Sequence, residues 1–304
     1  MSAPAGPSQK PTKRRSASQW AVAWRRFRRN KAALAGMVIV GFFVFLAVFG
    51  STLAPYPARS FPCLYIGCTS LPPFQSWAHP LGTEPAGIDV YSEILQSTRN
   101  DLYVGLGATL ISMAIGIAVG ALAGFRKGFS GALLLGVTQL FFVLPVLIII
   151  LLFARIFVTL VAVGLGLTLI LLILGVFGWP GIAFIVRGEV LRIRELEFVQ
   201  AERAIGASNR RILFRHIVPN ILSPLIVYAT LLIAGNILTE VVISFLGFGD
   251  PNTATWGLLI QEGFAYPNLW WISVFPGLAV VFSVLGFNIM GDGLSDALNP
   301  RLRE

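Results

Sequence analysis

Two histidines, two cysteines and fourteen carboxylates are the reactive inventory of this 304-residue chain, and their spacing arranges little catalytic chemistry. His79 and His216 have no catalytic constellation around them. His216 reads as a surface polar residue near a helix end rather than a proton carrier. Glu197 and Glu202 stand five apart, off the shared helix face that a paired acid and base would need. No Gly-x-x-x-x-Gly-Lys-Ser/Thr loop is present to cradle a nucleotide phosphate. Cys63 and Cys68, in Pro-Cys-Leu-Tyr-Ile-Gly-Cys, are a poor zinc site, and a disulfide between them would close a small loop in an oxidising compartment. Glu240 is the acid deepest in an apolar run, with Asn236 one turn before it. A buried ionisable group is costly, so Glu240 faces the protein interior or water. It either lines a substrate route or hydrogen-bonds a neighbouring helix.

The most informative stretch runs from Glu197 to Asn220 and is basic and amphipathic. Phe198, Ala201, Ile205 and then Ile212 fall on one face at helical spacing, while Arg203, Arg210, Arg211 and Arg215 project elsewhere. Gly206 is suited to end a first short helix, and Ser208 or Asn209 to cap a second. Pro219 permits the turn into the next apolar run. The expected object is a compact helix-turn-helix whose oily face needs a groove. If this chain does not supply one, another protein must.

What positions that segment is a set of apolar runs too long for a soluble core. The chain is 56% hydrophobic and 12% charged, with a mean hydropathy of +0.78. Soluble domains carry about 25% charged residues. Six runs have the length that crosses a bilayer core of about 30 Å: 34–54, 102–124, 132–153, 158–186, 221–248 and 270–290. The fourth is interrupted by Gly178-Trp179-Pro180-Gly181, which reads as a kink or as a break between two shorter helices. The first follows a basic stretch but is longer than a signal-peptide core and starts some thirty residues in, so it reads as a retained anchor.

Orientation follows from Lys and Arg. With the N-terminus inside, segments 1–33, 125–131, 187–220 and 291–304 hold 20 of the 23, leaving Arg59, Arg99 and Arg155 on or near the outer side. The net charge of +9 is therefore topology control rather than a nucleic-acid footprint. Residues 20–31, basic and aromatic, suit a helix at the headgroup level on anionic lipid. Loops 55–101 and 249–269 then lie outside, carrying Glu84, Asp89, Glu93, Asp101, Asp250 and Glu262. These acids read as solvated loop residues or as a docking surface. Gly116, Gly120 and Gly124, four apart, open one face of the second span to a close neighbour.

The 197–220 segment resembles the coupling motif of permease subunits of bacterial and archaeal ABC importers. There a Glu-Ala-Ala triplet precedes a Gly and then Ile-x-Leu-Pro. Here the pattern is Gln200-Ala201-Glu202, Gly206 and His216-Ile217-Val218-Pro219, with the Gly and Pro spacing kept and the flanking types changed. Residues 26–36, His79 to Glu84, Ile243 to Gly249, and Thr255-Trp256-Gly257 are similar to the dipeptide/oligopeptide branch, C-type permease, over nearly the whole chain from about residue 20. The branch's Gly-Arg-Asp is Gly87-Ile88-Asp89 here.

The resemblance implies an all-α membrane protein with six transmembrane helices and a type I importer fold with cytosolic coupling helices. Its parts would be a tail and interfacial helix (1–33), a first span and outer loop (34–101), a permease core (102–292) and a C-terminal tail (293–304). It implies a second related permease, two ATP-binding cassette subunits and an extracytoplasmic substrate-binding protein as partners. ATP and Mg would be bound in the ATPase subunits, and no cofactor by this chain. Gln200, Ala201, Glu202, Arg203, Gly206, Ala207, Ser208 and Arg211 would transmit motion rather than do chemistry. Cargo in that branch includes peptides, nickel chelates, glutathione and sugars. An ion-driven transporter fits less well, because the 178–181 break has no counterpart in the first half and intramembrane ionisable groups are scarce. A membrane enzyme would need a nucleophile or acid–base pair at depth, and none stands beyond Glu240.

Overall fold

The structure, a computed structural model, describes residues 19–62, 68–126, 128–156 and 164–298. Every regular element among them is a helix. The amphipathic α1 (Gln19–Phe27) packs Ala23 and Phe27 on Ala33 and Ala297 and turns Trp24 outward beside Arg25 and Arg26. Asn30 then caps α2 (Lys31–Leu53), its side chain accepting from the Ala33 N–H at 3.2 Å.

The central element is α3 (Val90–Phe125), which touches α2 and most later spans. Its 36 residues rise about 54 Å, well beyond a bilayer core of about 30 Å. The outer loop expected to reach Asp101 therefore ends at Asp89, whose carboxylate caps the helix by accepting from Ser92 N at 2.8 Å. Hydropathy treats charged positions as loop, whereas here they are helical and buried against other elements.

The third span is bent. Helices α4 (Phe129–Val143) and α5 (Val146–Ile156) meet at 72° across Leu144-Pro145. Proline has no N–H to give and disfavours a helical residue before it, and Leu144 is extended at φ −64, ψ 128. The fourth span combines α6 (Gly166–Phe177) and α7 (Pro180–Arg194); together they form one run long and apolar enough to cross. Its expected start at Val158 lies outside the described residues. Ser112 of α3 donates to the Gly175 carbonyl just before the joint.

Two short helices, α8 (Glu197–Ala204) and α9 (Asn209–Ile212), then form an elbow at the end of the bundle. The chain closes with α10 (Val218–Phe245), a short outer helix α11 (Trp256–Phe264) and α12 (Trp271–Leu298). Five helices are long and apolar enough to span, or six with the bent pair taken as one. Gly116, Gly120 and Gly124 are where α3 meets α7: a Cβ on Gly120 would lie 2.5 Å from the Ala183 carbonyl oxygen, and one on Gly116 2.6 Å from Ile182 Cβ. The small-residue stripe is thus the seam that fixes the root of the elbow.

Candidate functional site

The elbow begins three residues past α7. Helix α8 starts with Glu197 in its first turn, the sign that suits a helix N-terminus. Its end is a Schellman turn: Gly206 stands at φ +85, and Ala207 N donates to the Glu202 carbonyl at 2.9 Å. A Cβ at Gly206 would meet nothing within 4 Å, so the backbone angle alone requires glycine. Ser208 caps the next helix, its Oγ accepting from Arg211 N at 3.4 Å.

The second helix is not separate from the fifth span. Helix α9 passes through a π turn (Leu213–Ile217) straight into α10, with Val218 N bonded to the Leu213 carbonyl. Pro219, at the start of α10, cannot donate, and the widened turn carries the helix past it. The chain therefore does not turn at Pro219. It turns at Gly206.

That turn also divides the apolar residues. Val199, Ile212, Ile217 and Ile221 are fully buried in one cluster with Val186, Val190 and Ile193. Phe198 (46% exposed) and Ile205 (81% exposed) face out with Ala201 between them. The expectation that Ile212 continues the Phe198 face is corrected: the left-handed residue at 206 reverses the chain, so helical periodicity does not carry across it.

Of the other expected coupling residues, Gln200 is exposed, and its side chain donates to the Arg194 carbonyl at 3.1 Å, tying α8 back to the end of α7. Glu202 is half-buried, Ala207 packs against the elbow's core, and Ser208 and Arg211 are exposed. The backbone of Arg203 lies on α8, and its side chain falls outside the described residues.

Asn236 and Glu240 sit in helix contacts. Asn236 Nδ2 donates to Thr109 Oγ1 of α3 at 3.0 Å, and Ser244 Oγ donates to Glu240 Oε1 at 2.6 Å. Asp101 of α3 lies beside Glu240 and accepts from Trp256 N at 3.1 Å. Local periodicity gives no sign of the Asn236–Thr109 and Asp101–Trp256 pairings, which join positions more than a hundred residues apart.

The outer end is held by polar contacts between its loops. Arg59 forms a two-pronged ion pair with Glu262 of α11 (2.9 and 3.2 Å), donates to the Pro251 carbonyl, and gives its backbone N–H to Glu93. His79 Nδ1 meets Asp89 at 3.0 Å beneath the stacked ring of Tyr56. Burial, then the charges of Glu262 and Glu93, push the Glu84 carboxyl up to about 8, with Arg59 opposing. Glu84, Glu262 and Arg59 line a cavity of about 730 Å³. Phe74 and Trp77 are exposed aromatics of the same region. Cys68 is buried, with its Sγ 3.8 Å from His79 Nε2; Cys63 lies outside the described residues.

A helical bundle with five or six helices long and apolar enough to cross a membrane, and an elbow at one end, has the build of a multi-pass membrane protein. Comparison with known families agrees. Residues 116–304 match the binding-protein-dependent transport system inner membrane component, and residues 18–73 match the N-terminal TM domain of oligopeptide transport permease C. The dipeptide transport system permease protein DppC of Bacillus subtilis is 36% identical over 296 residues, 96% of this chain and 88% of the relative. The oligopeptide transport system permease protein OppC of the same organism is 32% identical over 305 residues, 99% and 95%. The glutathione transport system permease protein GsiD of Escherichia coli O157:H7 is 33% identical over 290 residues, 93% and 91%. The chain belongs to the inner membrane components of binding-protein-dependent transport systems, as an OppC-type permease. It is the non-catalytic membrane subunit of an ABC importer: ATP is hydrolysed by partner ATPases, and a binding protein completes the system.

Proposed function

We propose that this permease carries peptides, that its N-terminus and elbow lie in the cytosol, and that the elbow receives the movement of the ATPase subunits. One observation carries the coupling role. Phe198, Ala201 and Ile205 stand exposed on one face of a helix whose other face is fixed in the core through Val199. A rigid apolar knob of this kind suits a partner's groove. Glu202, Arg203, Ala207, Ser208 and Arg211 would surround the contact, with Gly206 setting its angle and Gln200 its root. The orientation is supported by the Lys/Arg distribution, and the cargo by the relatives, named for dipeptides, oligopeptides and glutathione, all built of amide-linked residues.

A second, related permease would supply the other half of the pathway, with two ATPase subunits below. ATP binding would close the ATPase pair and rock the permeases toward the outside, and hydrolysis would reset them. Asn236 and Glu240 would hold α10 against α3 and α11 during that movement. A Cys63–Cys68 bridge would staple the outer loop.

The test is reconstitution with the partner permease, ATPases and binding protein. ATP-dependent uptake of a labelled dipeptide is expected. Gly206→Val should lower uptake about tenfold while ATP hydrolysis continues, because a β-branched residue at positive φ re-aims the knob. Normal uptake by that variant would remove the coupling role, and uptake of nickel chelates or sugars without peptides would remove the cargo.

A further inference from the structure

A second polar site lies on the elbow's side of the bundle, where α3, α4 and α7 meet. A cavity of about 340 Å³ is lined there by Arg126, Arg187 and Arg194, with Ala132, Leu135 and Leu191 on its apolar wall. Among the described residues no carboxylate lines it, and neither Arg126 nor Arg187 has an ion-pair partner. Arg187 Nε is buried with no acceptor among the described residues. A buried guanidinium N–H left unmatched is costly, and an anion would satisfy it.

The surrounding backbone is built to the same end. Arg194 is fixed in place, donating to the Gly124 carbonyl and to Glu195, each at 2.9 Å. Gly128, at φ +74, precedes the fifteen-residue α4 and offers no side chain to cap it, which leaves first-turn N–H groups for an outside acceptor. Gly131 closes the turn tightly: a Cβ there would lie 2.5 Å from the Arg126 carbonyl oxygen. Next to the cavity, Phe129 and Leu133 face outward along α4. The site therefore offers cationic donors to a head and an apolar track to a tail.

We propose that Arg126, Arg187 and Arg194 seat the phosphate of an anionic phospholipid in the leaflet on the elbow's side. The lipid's negative charge is opposite in sign to the guanidinium groups of Arg126 and Arg187, with Arg194 held beside them by its pair with Glu195, and its acyl chain lies along Phe129 and Leu133. Because Gln200 of the elbow hydrogen-bonds the Arg194 carbonyl, the seated lipid steadies the base from which the elbow projects. The assignment depends neither on the cargo nor on which leaflet that is.

The test uses the assembled transporter in phosphatidylcholine nanodiscs doped with a photoactivatable phosphatidylglycerol, with crosslinks mapped by peptide mass spectrometry. Label is expected in 123–135 and 187–194, displaced by unlabelled phosphatidylglycerol and not by millimolar inorganic phosphate. R126Q/R187Q should lose about tenfold of it, and R126K/R187K should retain most. Equal labelling by a photoactivatable phosphatidylcholine in the unmodified protein would overturn the proposal without any variant. Unchanged labelling of R126Q/R187Q would do the same. Displacement by inorganic phosphate would reassign the seat to a free anion and overturn the lipid.

Discussion

The two ends of this bundle solve opposite problems. At the outer end, polar groups tie segments together: Arg59 to Glu262 and Asp101 to the backbone of Trp256 across long stretches of sequence, and His79 to Asp89 within the outer loop. At the elbow, the buried half is apolar and the other half exposes Phe198 and Ile205. One end is tied together by its own ion pairs and hydrogen bonds, though buried oxygens of Glu84, Glu93, Asp101 and Asp250 have no partner among the described residues, and the other is finished on its inner side only. The contrast teaches where to look for the moving partner, since an exposed apolar knob on a fixed base has a use only when something else closes over it.

Two substitutions on opposite faces of α8 break the comparison most sharply. Val199→Asp places an unpaired charge in the elbow's core and should cost on the order of 4 kcal/mol, seen as loss of folded permease by thermal unfolding in detergent. Ile205→Asp adds the same charge to the most exposed apolar side chain of the elbow. It should leave the melting temperature within about 2 °C while co-purification of the ATPase subunits falls. Equal loss of fold in both would erase the distinction between base and knob.

At the outer end the expected effects are smaller. Arg59→Ala removes the guanidinium from a half-buried ion pair and should cost about 1 kcal/mol, read as faster amide exchange in α11 with the elbow unchanged. Equal change at both ends would mean the two regions are not independent. The effect of pH is read at Glu84. Its folded value, about 8, lies above the ordinary 4.5. The stability it contributes is complete below 4.5 and is lost as pH rises through about 8. Unfolding curves at pH 6 and pH 9 should therefore show wild type losing more stability than Glu84→Gln, which has no proton to release. Parallel losses would contradict the assignment.

Much of the elbow was legible in sequence because its signals are local. Gly206 marks a left-handed position, and Ser208 is a capping residue three before Arg211. The division into inner and outer faces was legible only as far as residue 206, since periodicity assumes one continuous helix. The spans were legible by length, whereas the 72° bend at Pro145 was hidden by an apolar run that reads as unbroken. The outer end was the least legible. Glu93 and Asp101 look like loop residues until Arg59 and Trp256 are brought to them, and hydropathy carries no information about partners that distant. Arg126, Arg187 and Arg194 were visible as positive-inside charge, but only the packing of α3 on α7 gathers them around one cavity.

The central claim is that the exposed face of α8 is where the ATPase sits. In a background with Cys63 and Cys68 replaced by serine, Ile205→Cys can be probed with a membrane-impermeant maleimide on inside-out vesicles. The account predicts rapid labelling of the permease pair alone and protection once the ATPase subunits are bound, with Phe61→Cys on the outer loop unreactive in the same vesicles. Unprotected labelling in the assembled transporter, or labelling of Ile205→Cys only from the opposite face of the membrane, would contradict it.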